Sequence, residues 1–324
     1  MMSTQQVASQ SREQLLRSFS ELYWLKPYDI PWDAITAWHV AQRIGPDDAV
    51  LDLGCGDGLF SALMFGGRLA PETDRFVAAD AQHQAIGAAQ EGDIYTQRWT
   101  PQLTTRPARA IDEGLELKAY HLRIAESLGL YDHLTQAAFE THALSAERFD
   151  AVFSVFALYW ADDLGRSLDN VHRVLKAGGR FLVTLPSEHL RGMHLARQLA
   201  DANRDQEPIG RYFDTLDGGR CRLTTRYANS PAAWDRLLSS HGFDLLETIP
   251  VVNKLLFTMQ DLAHRPLLPV LIAHANRLAP DQRLALKQYL CDTVYPEWLT
   301  QFYDGLEGRA DIEHAYYLFH LRKR

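Results

Sequence analysis

The feature that most constrains this chain is the run Ala49-Val-Leu-Asp52-Leu-Gly54-Cys55-Gly56-Asp57-Gly58, an apolar strand that empties into a glycine-rich turn and then a helical pattern. Glycines at this spacing let the backbone turn tightly and approach a ligand closely, and the helix that follows presents unpaired N–H groups. A dinucleotide pyrophosphate site requires G-x-G-x-x-G, whereas Gly54-x-Gly56-x-Gly58 is followed by Leu59, so pyrophosphate is the poorer guess.

Around this motif, strand patterns alternate with helices. Strands are expected at 49–53, 75–79, 138–141, 151–155 and 180–185, each an apolar or β-branched run bounded by turn residues. Such alternation specifies an α/β protein with a doubly wound, mostly parallel sheet. Two further strand-like runs, 243–252 and 315–321, are separated by more than fifty residues of helical pattern. They read as an antiparallel hairpin at the sheet edge with a helical insertion at its tip, which brings the sheet to seven strands. Leucines and aromatics at helical spacing, interrupted by Pro27 and Pro31, place two short helices ahead of the first strand. The expected organisation is an N-terminal helical lid over 1–45, a core over 46–257 with an insertion at about 82–114, a helical insertion or lid over 258–312, and a last core strand in 313–324.

Three blocks in order, DLGCGDG at 52–58, FVAAD ending at Asp80, and FDAVFSVFALYW (149–160) followed by VLKAGGRFLV (174–183), resemble class I S-adenosylmethionine-dependent methyltransferases of the small-molecule type. The resemblance implies S-adenosyl-L-methionine as cofactor, with Asp52, Gly54, Cys55, Gly56, Asp57 and Gly58 beneath its amino-acid part. It further implies Asp80, with Ala81 beside it, as the acid accepting both ribose hydroxyls; a carboxylate suits two hydroxyl donors because the contact is bidentate and charge-assisted. Capping of the following helix is the bland alternative for Asp80. Where relatives hold the adenine amino group with an acid after the third strand, this chain has Thr141, His142 and Ala143. His142 and Ala143 are the cofactor-proximal candidates there, and Ser154 is the candidate after the fourth strand.

Ligands of a parallel sheet sit at the carboxyl ends of its strands. That rule nominates Tyr159 and Trp160 for the acceptor, with Tyr28 and Trp32 from the N-terminal lid, although core packing explains most such aromatics. His189 and His194, after the fifth strand, are the candidate general bases because an unperturbed imidazole titrates near neutral pH. A carboxylate acceptor needs no base. Arg98, Trp99, Arg106 and Arg109 of the insertion are either an anion-binding group or a solvated loop.

Composition narrows the partners. A net charge of -8 argues against a general electrostatic grip on nucleic acid. The Asn/Asp-Pro-Pro-aromatic motif of base-methylating relatives is replaced by Ser154-Val-Phe-Ala. Three scattered cysteines show neither disulfide nor metal-ligand spacing, so no metal is expected. The start lacks a signal-peptide stretch, and the apolar run 267–273 is too short to cross a bilayer, so a cytoplasmic protein without membrane contact is expected. The reading is a methyltransferase for a small-molecule or carrier-bound substrate, with oxygen the favoured acceptor atom. The pattern after the fourth strand and the late insertion resemble, weakly, small-molecule and acyl-carrier methyltransferases that form malonyl-carrier methyl esters. Nitrogen or carbon methylation, a non-methylating enzyme on the same fold, a non-catalytic cofactor-binding subunit, an NAD-linked oxidoreductase (the weakest of these) and a homodimer all stay open.

Overall fold

A computed structural model describes residues 10–77, 99–202, 219–264, 267–303 and 312–324. Its centre is a seven-stranded sheet in the order β5-β4-β1-β6-β7-β9-β8. The five strands β5 (Leu134–Gln136), β4 (Glu113–Glu116), β1 (Val50–Leu53), β6 (Phe149–Ser154) and β7 (Leu175–Pro186) run parallel. β9 (His314–Lys323) lies antiparallel between β7 and β8 (Phe243–Asn253). β1 is buried along its whole length, as a strand covered on both faces must be. A separate two-stranded ladder pairs β2 (Arg68–Leu69) with β3 (Leu103–Thr105).

The two expected N-terminal helices are α1 (Arg12–Leu22) and α2 (Asp29–Ala41). Ser11 and Gln14 cap α1 reciprocally, each side chain accepting the other's backbone N–H, at 3.1 and 2.9 Å. Pro31 falls in the first turn of α2, where the missing N–H breaks no intrahelical bond. After β1 come α3 (Leu59–Met64) and, beyond β4, α4 (Ala119–Ser127). α5 (Leu164–Val174) links β6 to β7 and begins at Asp163, whose side chain accepts the N–H of Arg166. α6 (Leu190–Met193), α7 (Leu195–Ala202), α8 (Gly219–Thr224) and α9 (Pro231–Ser240) follow β7. Between β8 and β9 lie α10 (Lys254–His264), α11 (Leu268–Ala275), α12 (Pro280–Tyr289), a π turn (Leu290–Val294) and α13 (Tyr295–Tyr303).

This late insertion folds back onto the N-terminal helices. Buried Lys287 donates to the carbonyls of Pro71 and Thr73, Arg283 pairs with Asp74 at 2.7 Å, and Tyr295 OH donates to the carbonyl of Trp24. Elements more than two hundred residues apart in sequence thereby form one cap.

Two expected strands are displaced. Residues 75–77 form a turn, 78–79 lie outside the described residues, and the strand that pairs with β1 on the side away from β6 is Glu113–Glu116. The apolar character of Phe76 comes from the cap: its ring is fully buried, edge-on to Trp24 at 6.3 Å. The third expected strand, 138–141, is found at Leu134–Gln136, and 138–141 turn back on themselves through a Thr141 N–H to Ala138 carbonyl bond. The stretch 115–130, helical in its apolar spacing, begins in β4 and continues into α4.

Candidate active site

β1 ends in a turn where Gly54, Gly56 and Gly58 take φ of +87°, +55° and +77°. The carbonyl of Leu115, next to the end of β4, accepts the N–H groups of both Gly54 (2.8 Å) and Cys55 (3.0 Å), which stitches the turn to the neighbouring strand. A Cβ on Gly54 would lie 2.5 Å from Ala157 Cβ and 3.2 Å from the Phe139 ring, so only glycine fits there. Over Gly56 a Cβ would meet nothing within 4 Å, and the turn is open on that side.

Beside the turn, at the carboxyl ends of β1, β4, β5 and β6, lies a cavity of about 470 Å³ whose walls include Gly54, Glu116, His121, residues 137–140, Phe156 and Trp160. Glu116 closes β4. Its Oε2 accepts the Gly56 N–H (3.1 Å) and its Oε1 the Lys118 N–H (2.8 Å). Burial works to raise its pKa, but neighbouring His121 and the Lys118 N–H outweigh burial and hold the carboxyl below its ordinary value. An ionised, immobilised carboxylate at the rim of a glycine cradle is the acceptor that the two hydroxyl donors of a ribose diol require. This is the role assigned from sequence to Asp80. Asp80 and Ala81 lie outside the described residues, as does Arg98.

Asp52 is 3% exposed, and its Oδ2 accepts hydrogen bonds from Ser61 Oγ (2.5 Å) and Tyr131 OH (2.7 Å), tying α3 and the chain after α4 beneath the turn. Burial, working against those two bonds, raises its pKa to about 7. A carboxyl with a raised folded-state pKa stabilises fully below its unfolded value near 4, and that contribution is lost as pH rises through about 7. Asp33, also raised to about 7 by burial, acts with the same sign. Urea unfolding at pH 5 and pH 8 should therefore show wild-type stability falling with pH, with Asp52 contributing about 2–3 kcal/mol of the difference, the part of its window between pH 5 and about 7. Asp52→Asn should flatten that fall, and an unaltered slope would reject the assignment.

The other expected site residues are dispersed. Asp57 accepts the Leu59 N–H and pairs with Arg75 at 3.1 Å. Cys55 is buried, and its Sγ approaches the Gly56 carbonyl at 3.7 Å. Ser154 is fully buried and donates to the Leu53 carbonyl, so it joins β6 to β1 instead of facing the cavity. His142 is buried beside Arg173, and burial lowers its pKa to about 4; the cavity wall from that loop is 137–140, without His142 or Ala143. His189 stands half-exposed at the start of α6, 3.5 Å from Glu313. His194 is fully buried, with Nδ1 3.4 Å from Asp261 and Nε2 3.2 Å from Thr224 Oγ1. Neither histidine lines the cavity. Arg109 spends its guanidinium on the carbonyls of Gly45 and Asp48, while Trp99 packs under Arg75. Of the acceptor candidates, Trp160 lines the cavity and donates to the Phe156 carbonyl, while Tyr28, Trp32 and Tyr159 are buried nearby in the fold's core. Sequence reasoning missed Glu116, although E-G-L-E ahead of a helix carries the signal of an acid-terminated strand.

A cavity at the carboxyl ends of a parallel sheet, floored by a glycine turn and rimmed by an ionised acid, defines the class I S-adenosylmethionine-binding type. Residues 39–248 match the model of a family described as a methyltransferase domain, and the chain belongs to that family. S-adenosylmethionine is its cofactor. Among curated proteins, it is 37% identical over 98 residues to a malonyl-[acyl-carrier protein] O-methyltransferase of Pseudescherichia vulneris, covering 30% of this chain and 39% of the relative. It is 30% identical over 140 residues to malonyl-[acyl-carrier protein] O-methyltransferase 1 of Coxiella burnetii, covering 43% of this chain and 46% of the relative. The match thus spans less than half the length of each. Solved structures similar to it include the YcgJ protein of Bacillus subtilis (14% identity, 90% of this chain and 98% of that one, TM-score 0.45). Another is an S-adenosylmethionine-dependent methyltransferase of Mesorhizobium loti (17% identity, 90% and 100%, TM-score 0.42). No helix among the described residues is long and apolar enough to cross a membrane.

Proposed function

We propose that this protein methylates a carboxylate oxygen of a carrier-bound acyl group. The observation that carries the acceptor is the likeness to the two malonyl-[acyl-carrier protein] O-methyltransferases. The cavity beside the glycine turn supports the cofactor half of the reading. When bound, S-adenosylmethionine supplies an electrophilic methyl carbon on a sulfonium. Glu116 would accept the ribose hydroxyls, the turn at 54–58 would underlie the amino-acid part, and residues 137–140 would flank the adenine. Trp160 and Phe156 wall the cavity beyond β6 and help exclude water.

A carboxylate is already ionised at neutral pH and needs no proton removed. The placement of His189 and His194 off the cavity wall agrees with such an acceptor. Alignment and exclusion of water then provide most of the rate. Incubation with malonyl-acyl carrier protein and methyl-labelled S-adenosylmethionine, followed by mass spectrometry of the carrier, tests the reading. A base-labile gain of one methyl group is expected. Unmodified carrier from folded protein that binds S-adenosylhomocysteine would reject this acceptor.

A further inference from the structure

Behind one wall of the cavity stands a cluster of five aromatic rings drawn from five elements: Trp32 of α2, Phe156 after β6, Tyr159, Phe257 of α10 and Tyr316 of β9. Trp32 lies 5.7 Å from Phe156, 6.0 Å from Phe257 and 5.8 Å from Tyr316, centroid to centroid; Tyr316 lies 5.6 Å from Tyr159. Phe156 is the ring that the cluster shares with the cavity.

Two features set this cluster apart from ordinary core. First, the indole N–H of Trp32 is buried and has no hydrogen-bond partner among the described residues, while Trp32 as a whole is 7% exposed. By contrast, Trp24 donates to Asp74, Trp234 to the Pro186 carbonyl and Trp160 to the Phe156 carbonyl. Buried donors are nearly always paired, so this indole N–H is free to take an acceptor from a bound molecule. Second, Phe156 takes φ of +51°, a left-handed conformation that a phenylalanine avoids, and its backbone is pinned there by Thr184 on the N–H side and by Trp160 on the carbonyl side. The half-buried Phe156 ring lines the cavity and stands 5.7 Å from the Trp32 ring, centroid to centroid.

The cluster offers a neutral N–H donor among apolar rings, which suits a neutral acceptor atom beside an apolar stem. No charged side chain belongs to it, so its fitting occupant is an uncharged carbonyl. We propose that Trp32 is an acceptor-binding residue whose indole N–H donates to the thioester carbonyl of the acyl group, reached when the Phe156 ring gives way, with the surrounding rings covering the adjoining methylene. This assignment rests on the acyl-carrier reading above.

Two measurements test it. The first is a ¹H–¹⁵N spectrum of the indole groups with S-adenosylhomocysteine present, titrated with malonyl-pantetheine; the Trp32 signal is assigned by its loss in Trp32→Phe, or in Trp32→Tyr should the first variant not fold. The Trp32 signal is expected to move. The second is steady-state kinetics with malonyl-acyl carrier protein, where Trp32→Phe should raise KM about tenfold, leaving kcat within about twofold and S-adenosylhomocysteine affinity unchanged. A merely structural tryptophan would lower thermal stability without moving KM or the signal. Methylation by wild type with an unmoved Trp32 signal and an unaltered KM overturns the assignment and leaves the methylation reading standing. A moved signal without methylation supports the donor and rejects that reading, and neither effect overturns both.

Discussion

Replacing Glu116 by alanine should weaken S-adenosylhomocysteine binding about 10- to 150-fold in a calorimetric titration. The size follows from about 1.5–3 kcal/mol for hydrogen bonds to a charged group. Alanine also removes the acceptor for the Gly56 and Lys118 N–H groups, loosening the glycine turn and the entry to α4. Glu116→Gln separates the two contributions: it keeps an acceptor oxygen for the turn but lacks the charge, and an intermediate loss is expected. Wild-type affinity in Glu116→Ala would return the ribose role to another acid, Asp80 among them.

A larger effect is expected for Gly54→Ala. The left-handed φ of +87° costs any residue with a Cβ about 1–2 kcal/mol, and forcing that atom to within 2.5 Å of Ala157 adds about 1–3 kcal/mol of overpacking. The strain falls where it matters because Ala157 and Phe139 are both walls of the cavity. The variant should lose both thermal stability and at least about 100-fold in S-adenosylhomocysteine affinity. Thermal unfolding and titration of one preparation check it; a variant indistinguishable from wild type in both would mean that the turn is not packed against the loop after β6.

Much of the fold was legible because its strongest signals are local. β1, β6, β7, β8 and β9 were found within about five residues of their observed bounds, since each is an apolar or β-branched run bounded by turn residues. The antiparallel hairpin with helices between its strands followed from the same pattern. The second strand was not legible. Glu113-Gly-Leu-Glu116 is short, half acidic and contains Gly114, whose place is set by Tyr131 and Leu134 crossing 2.8 Å from where a Cβ would stand. Phe76-Val-Ala-Ala has the better strand composition, yet Phe76 is apolar because it fills the cap beneath Trp24. Length and apolarity do not distinguish burial in a sheet from burial in a cap.

The sequence by itself determined the class: the glycine turn after β1, the cofactor it implies and the alternation that builds a parallel sheet are all written in contiguous residues. Tertiary structure decided which side chains face the cavity. Asp52, Ser154 and His142 carry polar groups at plausible positions, but their lone pairs and protons are engaged or buried elsewhere. Glu116 instead receives the Gly56 N–H from sixty residues away. The reason is physical: a backbone pattern reports the period of burial, whereas the partner of a carboxylate is fixed only when separate strands pair in register and bring its hydrogen bonds into reach.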